Sequence, residues 1–256
     1  MASLPDGQLS LAAGHLLAAT SYGPSPLWYT ARATGVVALI LLTITVALGV
    51  AGTARLSTEL LPAIVRSGLH RNVSLLVVAF IVVHVLSSVL DPFAGIKLTS
   101  AIVPFSSDYR PIWLSLGAIA FDMLLALIVT SLLRSRLSPG LWRGVHWFGY
   151  VCWPVALWHG LGTGTDSRLS WLLLLEAGCA LVVAAAVAWR LNLAGRSLAR
   201  AAGLAGIAGF ALATIVFVAV GPLQPGWARR AGTPASLLSS AHPASAGTSG
   251  QTGAGR

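Results

Sequence analysis

Charge is what this sequence lacks. Only 9% of its 256 residues are Asp, Glu, Lys or Arg, against about 25% in a typical soluble domain, while 56% are hydrophobic and the mean hydropathy is +0.81. That composition excludes an ordinary water-soluble enzyme and points to a polytopic membrane protein. Acidic residues are scarcer than basic ones, 7 against 16, which leaves a net charge of +9. The excess does not signal nucleic acid. All the basic residues but Lys97 are Arg, they fall mostly in short gaps between apolar runs, as membrane topology requires, and no stretch is long and polar enough to build a basic soluble domain. Cysteine is also rare. Cys152 and Cys179 lie in different apolar runs and read as small buried hydrophobes. The first 25 residues contain an apolar stretch but no basic leader, with Asp6 where positive charge belongs, so no cleaved signal peptide is expected.

What is present is long apolar runs. About 20 such residues cross roughly 30 Å of hydrocarbon, and six segments qualify: Ala33 to Ala51, Val73 to Leu90, Ile112 to Leu133, Val145 to Leu161, Leu169 to Ala188 and Gly203 to Val220. The expected fold is therefore all-α, a bundle of six transmembrane helices in a cell membrane. Arginine in alternate gaps sets the orientation. Arg55, Arg66 and Arg71, then Arg134, Arg136 and Arg143, then Arg190, Arg196 and Arg200 mark one side as cytoplasmic, and both termini are expected outside. From Gly221 the chain is mostly Gly, Ala, Ser, Pro and Thr, too poor in apolar surface to fold. The expected organisation is an outward N-terminal segment at 1–30, a six-helix domain at 31–220 and a disordered outward tail at 221–256.

Four of the six histidines are paired within two of these spans. His70 and His84 stand 14 residues apart in the second, and His146 and His159 stand 13 apart in the fourth. Both spans run from inside to outside, so His70 shares the inner level with His146 and His84 shares the outer level with His159. At about 1.5 Å per residue the levels lie about 20 Å apart. Fourteen residues turn a helix about 1400°, close to four full turns, which puts His70 and His84 on one face. Thirteen residues fall about 140° short of four turns, so an irregularity is expected near Pro154 to bring His146 and His159 into register. Imidazole suits several metals, but a bare ion wants more than two ligands and no Cys, Asp or Glu completes either pair. Heme needs only two axial ligands and presents a large apolar face. Two bis-histidine hemes account for all four residues.

This double spacing, with ARATGVVALI opening the first span, LHRNVSLLVVAFIVVHVL in the second and LWRGVHWFGYVCWPVALWHGLGTGTD in the fourth, resembles the ferric reductase-like transmembrane domain family. That family includes NADPH oxidases and the heme-binding membrane subunit of the periplasmic methionine sulfoxide reductase system. The resemblance covers roughly residues 30 to 190. It implies an inner heme b iron held by His70 and His146, an outer one held by His84 and His159, and the role of heme-bearing membrane subunit of an oxidoreductase. The soluble flavin and nicotinamide domain of the oxidases has no counterpart here, so the resemblance implies a separate donor, a cytoplasmic flavoprotein or a quinone, and an outer-side acceptor. Two rival readings use the same residues: a quinone-linked cytochrome b subunit, and a heme-free transporter or structural membrane protein.

Other residues invite a role. Asp122 and Glu176 lie inside apolar spans, where an ionisable group is a functional hypothesis by default. Arg71, Arg143 and Trp147 adjoin the inner level. The loop DPFAGIKLTSAIVPFSSDYRP is long enough to cover the outer site.

Overall fold

The computed structural model describes residues 25–53, 63–164, 168–193, 195 and 197–240, and among them every regular element is helical. In chain order these are α1 (Pro26–Thr53), α2 (Ala63–Leu90), α3 (Leu98–Ile102), α4 (Pro111–Leu132), α5 (Pro139–His146), α6 (Phe148–Thr163), α7 (Ser170–Leu193), α8 (Leu198–Val220), α9 (Trp227–Arg230) and α10 (Ala235–Ser240). A helix satisfies its own backbone groups, which is what a lipid environment demands. The hydroxyls carried into these runs are satisfied in the same local way, Thr34 Oγ1 donating to Thr30 O at 2.6 Å, Thr45 to Leu41 O at 2.8 Å and Ser88 to His84 O at 2.7 Å.

Five helices are long and apolar enough to cross a membrane: α1, α2, α4, α7 and α8. Their outward faces are apolar too, with Leu75, Leu76, Leu174, Leu181, Leu212 and Ile215 all exposed. In water that surface would drive aggregation, whereas in a bilayer it is the proper solvent face. The chain is a multi-pass membrane protein.

The fourth expected span differs from its sequence reading. It is divided into α5 and α6, and α6 has 16 residues, about 24 Å of helix. The division falls at Trp147, where Tyr150 N–H closes a tight turn onto Trp147 O at 3.0 Å. Pro154, expected to be the irregular point, sits inside α6 without ending it. Its missing N–H costs one hydrogen bond, and neighbouring helices make that tolerable within a bundle.

Those neighbours surround α6. Trp153, Leu157 and Leu161 of α6 form the core with Cys179 of α7, flanked by Leu39, Leu42 and Val46 of α1. Side-chain hydrogen bonds fix α6 on three sides: Trp153 Nε1 donates to Thr43 Oγ1 of α1 at 2.8 Å, Cys152 Sγ to Ala120 O of α4 at 3.4 Å, and Trp158 Nε1 to Thr214 Oγ1 of α8 at 2.9 Å. The bundle is built around α6, with α1 against α2 and α4 against α6 as the main packing pairs.

The segment from Gly221, expected to be unstructured, carries α9 and α10 as far as Ser240. Trp227 gives it the apolar anchor that its general composition lacks, packing against Trp113 with ring centres 5.4 Å apart and Phe217 at 5.7 Å. Arg110 gives it a polar one. The buried guanidinium donates through Nε to Thr233 Oγ1 at 2.9 Å and through one terminal nitrogen to Gly162 O at 3.0 Å and Gly164 O at 3.3 Å. These bonds hold Arg110 in the left-handed region at φ 44°, an uncommon conformation for a side chain of this size. Residues 1–24 and 241–256, with Arg55 and Arg196, lie outside the described residues.

Candidate functional site

The structure brings the four span histidines together as two pairs. His70 of α2 faces His146, the last residue of α5, with ring centres 6.4 Å apart. His84 of α2 faces His159 of α6 at 6.3 Å. The tight turn at Trp147 lies between His146 and His159.

The separation has a chemical meaning. An imidazole nitrogen binds a transition metal at about 2 Å and lies about 1.2 Å from its ring centre, so two imidazoles on opposite sides of one metal have centres about 6.4 Å apart. Both pairs hold that distance. Among the described residues no group of three or more His, Cys, Asp or Glu side chains is placed to hold a metal ion, so the arrangement suits a metal whose other ligands come with it.

Three of the four rings are anchored alike. His84 Nδ1 lies 2.7 Å from Ala31 O, His70 Nδ1 3.1 Å from Thr45 O, and His159 Nδ1 2.9 Å from Trp113 O. A carbonyl only accepts, so each Nδ1 carries the proton and each Nε2 keeps its lone pair for a metal. Each of these carbonyls is followed four residues later by glycine. A Cβ on Gly35 would meet His84 Cε1 at 3.0 Å, on Gly49 His70 Cε1 at 3.4 Å, and on Gly117 His159 Cε1 at 2.5 Å. The absent side chain is what lets the imidazole reach a carbonyl on the helix wall. In α1 the device occurs twice, Ala31 with Gly35 and Thr45 with Gly49, at the same 14-residue interval that separates His70 from His84.

His146 is the exception. Its Nδ1 is buried with no hydrogen-bond partner among the described residues. Its ring instead stacks on Trp142, one turn earlier in α5, with centres 4.8 Å apart and planes 22° from parallel, and the Arg134 guanidinium caps Trp142 at 4.5 Å. Of the residues singled out at this level, Arg71 and Trp147 are exposed and Arg143 bonds its own helix at Pro139 O, 3.1 Å away. The one sequence signal for Trp142 is an aromatic at i−4 from a histidine, a spacing that makes helical neighbours.

Around the outer pair lies a cavity of about 620 Å³ lined by His84, His159, Gly35, Gly117, Ala118 and Ala156, among other residues. It is large enough for a cofactor-sized ligand. Glu176 also lines it, 7% exposed and with Oε2 unpartnered among the described residues, whereas Asp122 does not. The segment between α2 and α4 contributes Ile96, Ser100 and Tyr109 to its wall.

Residues 31–157 match the family model described as ferric reductase like transmembrane component. This region is a ferric reductase-like transmembrane domain. The match takes in His70, His84 and His146 and ends just before His159. The match suggests a membrane component of oxidoreductase type, and domains of this family generally bind heme. The residues present fit that group: paired imidazoles at ligating distance, with the ring tautomer fixed in three of four and small residues lining the outer cavity. Neither a curated protein nor a solved structure matches the chain.

Proposed function

We propose that the protein is a six-span membrane cytochrome that carries electrons from a cytoplasmic-side donor, through two stacked b-type hemes, to an acceptor on the outer side. The observation that carries this reading is the separation of the two histidine pairs, 6.4 and 6.3 Å, which is the spacing of trans imidazoles on one metal. Heme would supply the one-electron couple. The protein supplies the rest. His70 and His146 would hold the inner heme, and His84 and His159 the outer one. Ala31, Thr45 and Trp113 fix three of these rings through Nδ1, and the glycines admit them. The two levels, 14 residues apart on α2, are separated by about 21 Å along the helix.

In this reading α5 and α6 together make the sixth crossing, since α4 ends beside Arg134 and Arg136 while α7 begins at the opposite end. Arg66, Arg71, Arg190 and Arg200 share the Arg134 end, which makes it the cytoplasmic one, and both termini then face outward. Two histidines at each level would hold the hemes, which would pass electrons from a separate flavoprotein or quinone to an outer acceptor.

The test is a reduced-minus-oxidised absorbance spectrum of the purified protein with heme counted per chain, for the native sequence and for His84→Ala and His146→Ala. A b-type spectrum with two hemes, one lost in each variant, is the expected result. A colourless protein from heme-replete cells would refute the reading and favour a transporter or structural role.

A further inference from the structure

His146 differs from the other three histidines in how it is held. Those three reach main-chain carbonyls, Ala31 O, Thr45 O and Trp113 O, and each carbonyl is followed four residues later by a glycine whose missing side chain leaves room for the ring. His146 keeps a buried, unpartnered Nδ1 and the flat face of Trp142.

We propose that Trp142 is the positioning residue of the inner site, fixing the plane of His146 by stacking where a main-chain acceptor fixes the other three. The proposal rests on the cytochrome reading and adds an asymmetry to it. A ring held through Nδ1–H is fixed in direction and made a stronger donor by its acceptor. A ring held only by its face keeps its plane but lacks that push. The inner ligand set is then the weaker donor of the two, and its geometry depends on one aromatic side chain. Arg134 over Trp142 sets the outer face of the stack.

The test compares the native protein with Trp142→Phe and Trp142→Leu, by heme per chain and by low-temperature electron paramagnetic resonance of the ferric protein. The outer signal is identified as the one that survives in His146→Ala. Trp142→Phe is expected to keep both low-spin signals with the inner one displaced. Trp142→Leu should leave the outer signal unchanged while the inner one turns high-spin or disappears with the loss of one heme of the two. An inner signal identical to the native one in Trp142→Leu would overturn the proposal. If the leucine variant fails to assemble and both signals vanish, the phenylalanine variant decides: a displaced inner signal supports the stack and an unmoved one overturns it. A native protein without two hemes would instead refute the cytochrome reading itself.

Discussion

Replacing the three anchoring glycines one at a time by alanine should damage the sites in a fixed order. Carbon atoms pack at about 3.5 Å or more. At Gly117 the new Cβ would meet His159 Cε1 at 2.5 Å, Nδ1 at 2.6 Å and Nε2 at 3.0 Å, at Gly35 it would meet His84 Cε1 at 3.0 Å, and at Gly49 His70 Cε1 at 3.4 Å. The imidazole must therefore retreat by about 1 Å at the first, by about half that at the second, and hardly at all at the third. A ligating nitrogen tolerates about 0.2 Å of displacement, so Gly117→Ala is expected to break the ligation of His159 and lose the outer heme. Overpacking and the lost Trp113 bond together cost about 2–4 kcal/mol. Gly35→Ala exceeds the same limit by less and should leave the outer site partly loaded, with a shifted spectrum and faster heme loss on heating, and Gly49→Ala should behave as native. Heme per chain, the difference spectrum and the temperature of heme loss measure all three. A fully loaded Gly117→Ala protein with a native spectrum, or a Gly49→Ala more damaged than Gly117→Ala, would refute the idea that these glycines exist to admit the rings.

Further expectations follow from the packing. Arg110→Ala should loosen the segment that carries α9 and α10, because it removes the charged hydrogen bond to Thr233; a loss of about 1.5–3 kcal/mol, roughly ten- to a hundredfold in docking, would appear as new protease cleavage after Val220. Thr43→Val leaves Trp153 Nε1 buried without its acceptor at 2.8 Å and should destabilise the detergent-solubilised protein by about 1–3 kcal/mol in thermal unfolding. Cys152 and Cys179 are 2% and 8% exposed, so an aqueous maleimide should label neither until the protein is unfolded.

The histidine pairs are legible in the amino-acid sequence because helical spacing encodes depth along a span. The position of the break between His146 and His159 is not. Proline is the visible punctuation in that segment, yet Pro154 stays inside α6, while the turn falls at Trp147, where the apolar run meets the arginine-rich end. Trp142 and Trp147 look alike in sequence; only the position of His146 at the end of α5 shows which of them stacks on it. Arg110 reads as one of the few charges of an outer loop, and its partner Thr233 is 123 residues away, beyond the reach of any local pattern. The ordered part of the C-terminal segment is hidden for a similar reason: its composition is that of a tail, and a single tryptophan and a distant arginine hold it.

The doubled anchor in α1 ties two helices to a common measure. A helix that contributes none of the four histidines nonetheless states, through Ala31 and Thr45, how far apart the histidines of its neighbour must stand. One residue inserted anywhere between those two carbonyls would leave one histidine bonded and swing the other's acceptor by about 100° around the helix. No change of side chain repairs that. Only a matching insertion between His70 and His84 restores both bonds, so these two stretches of chain must keep the same length.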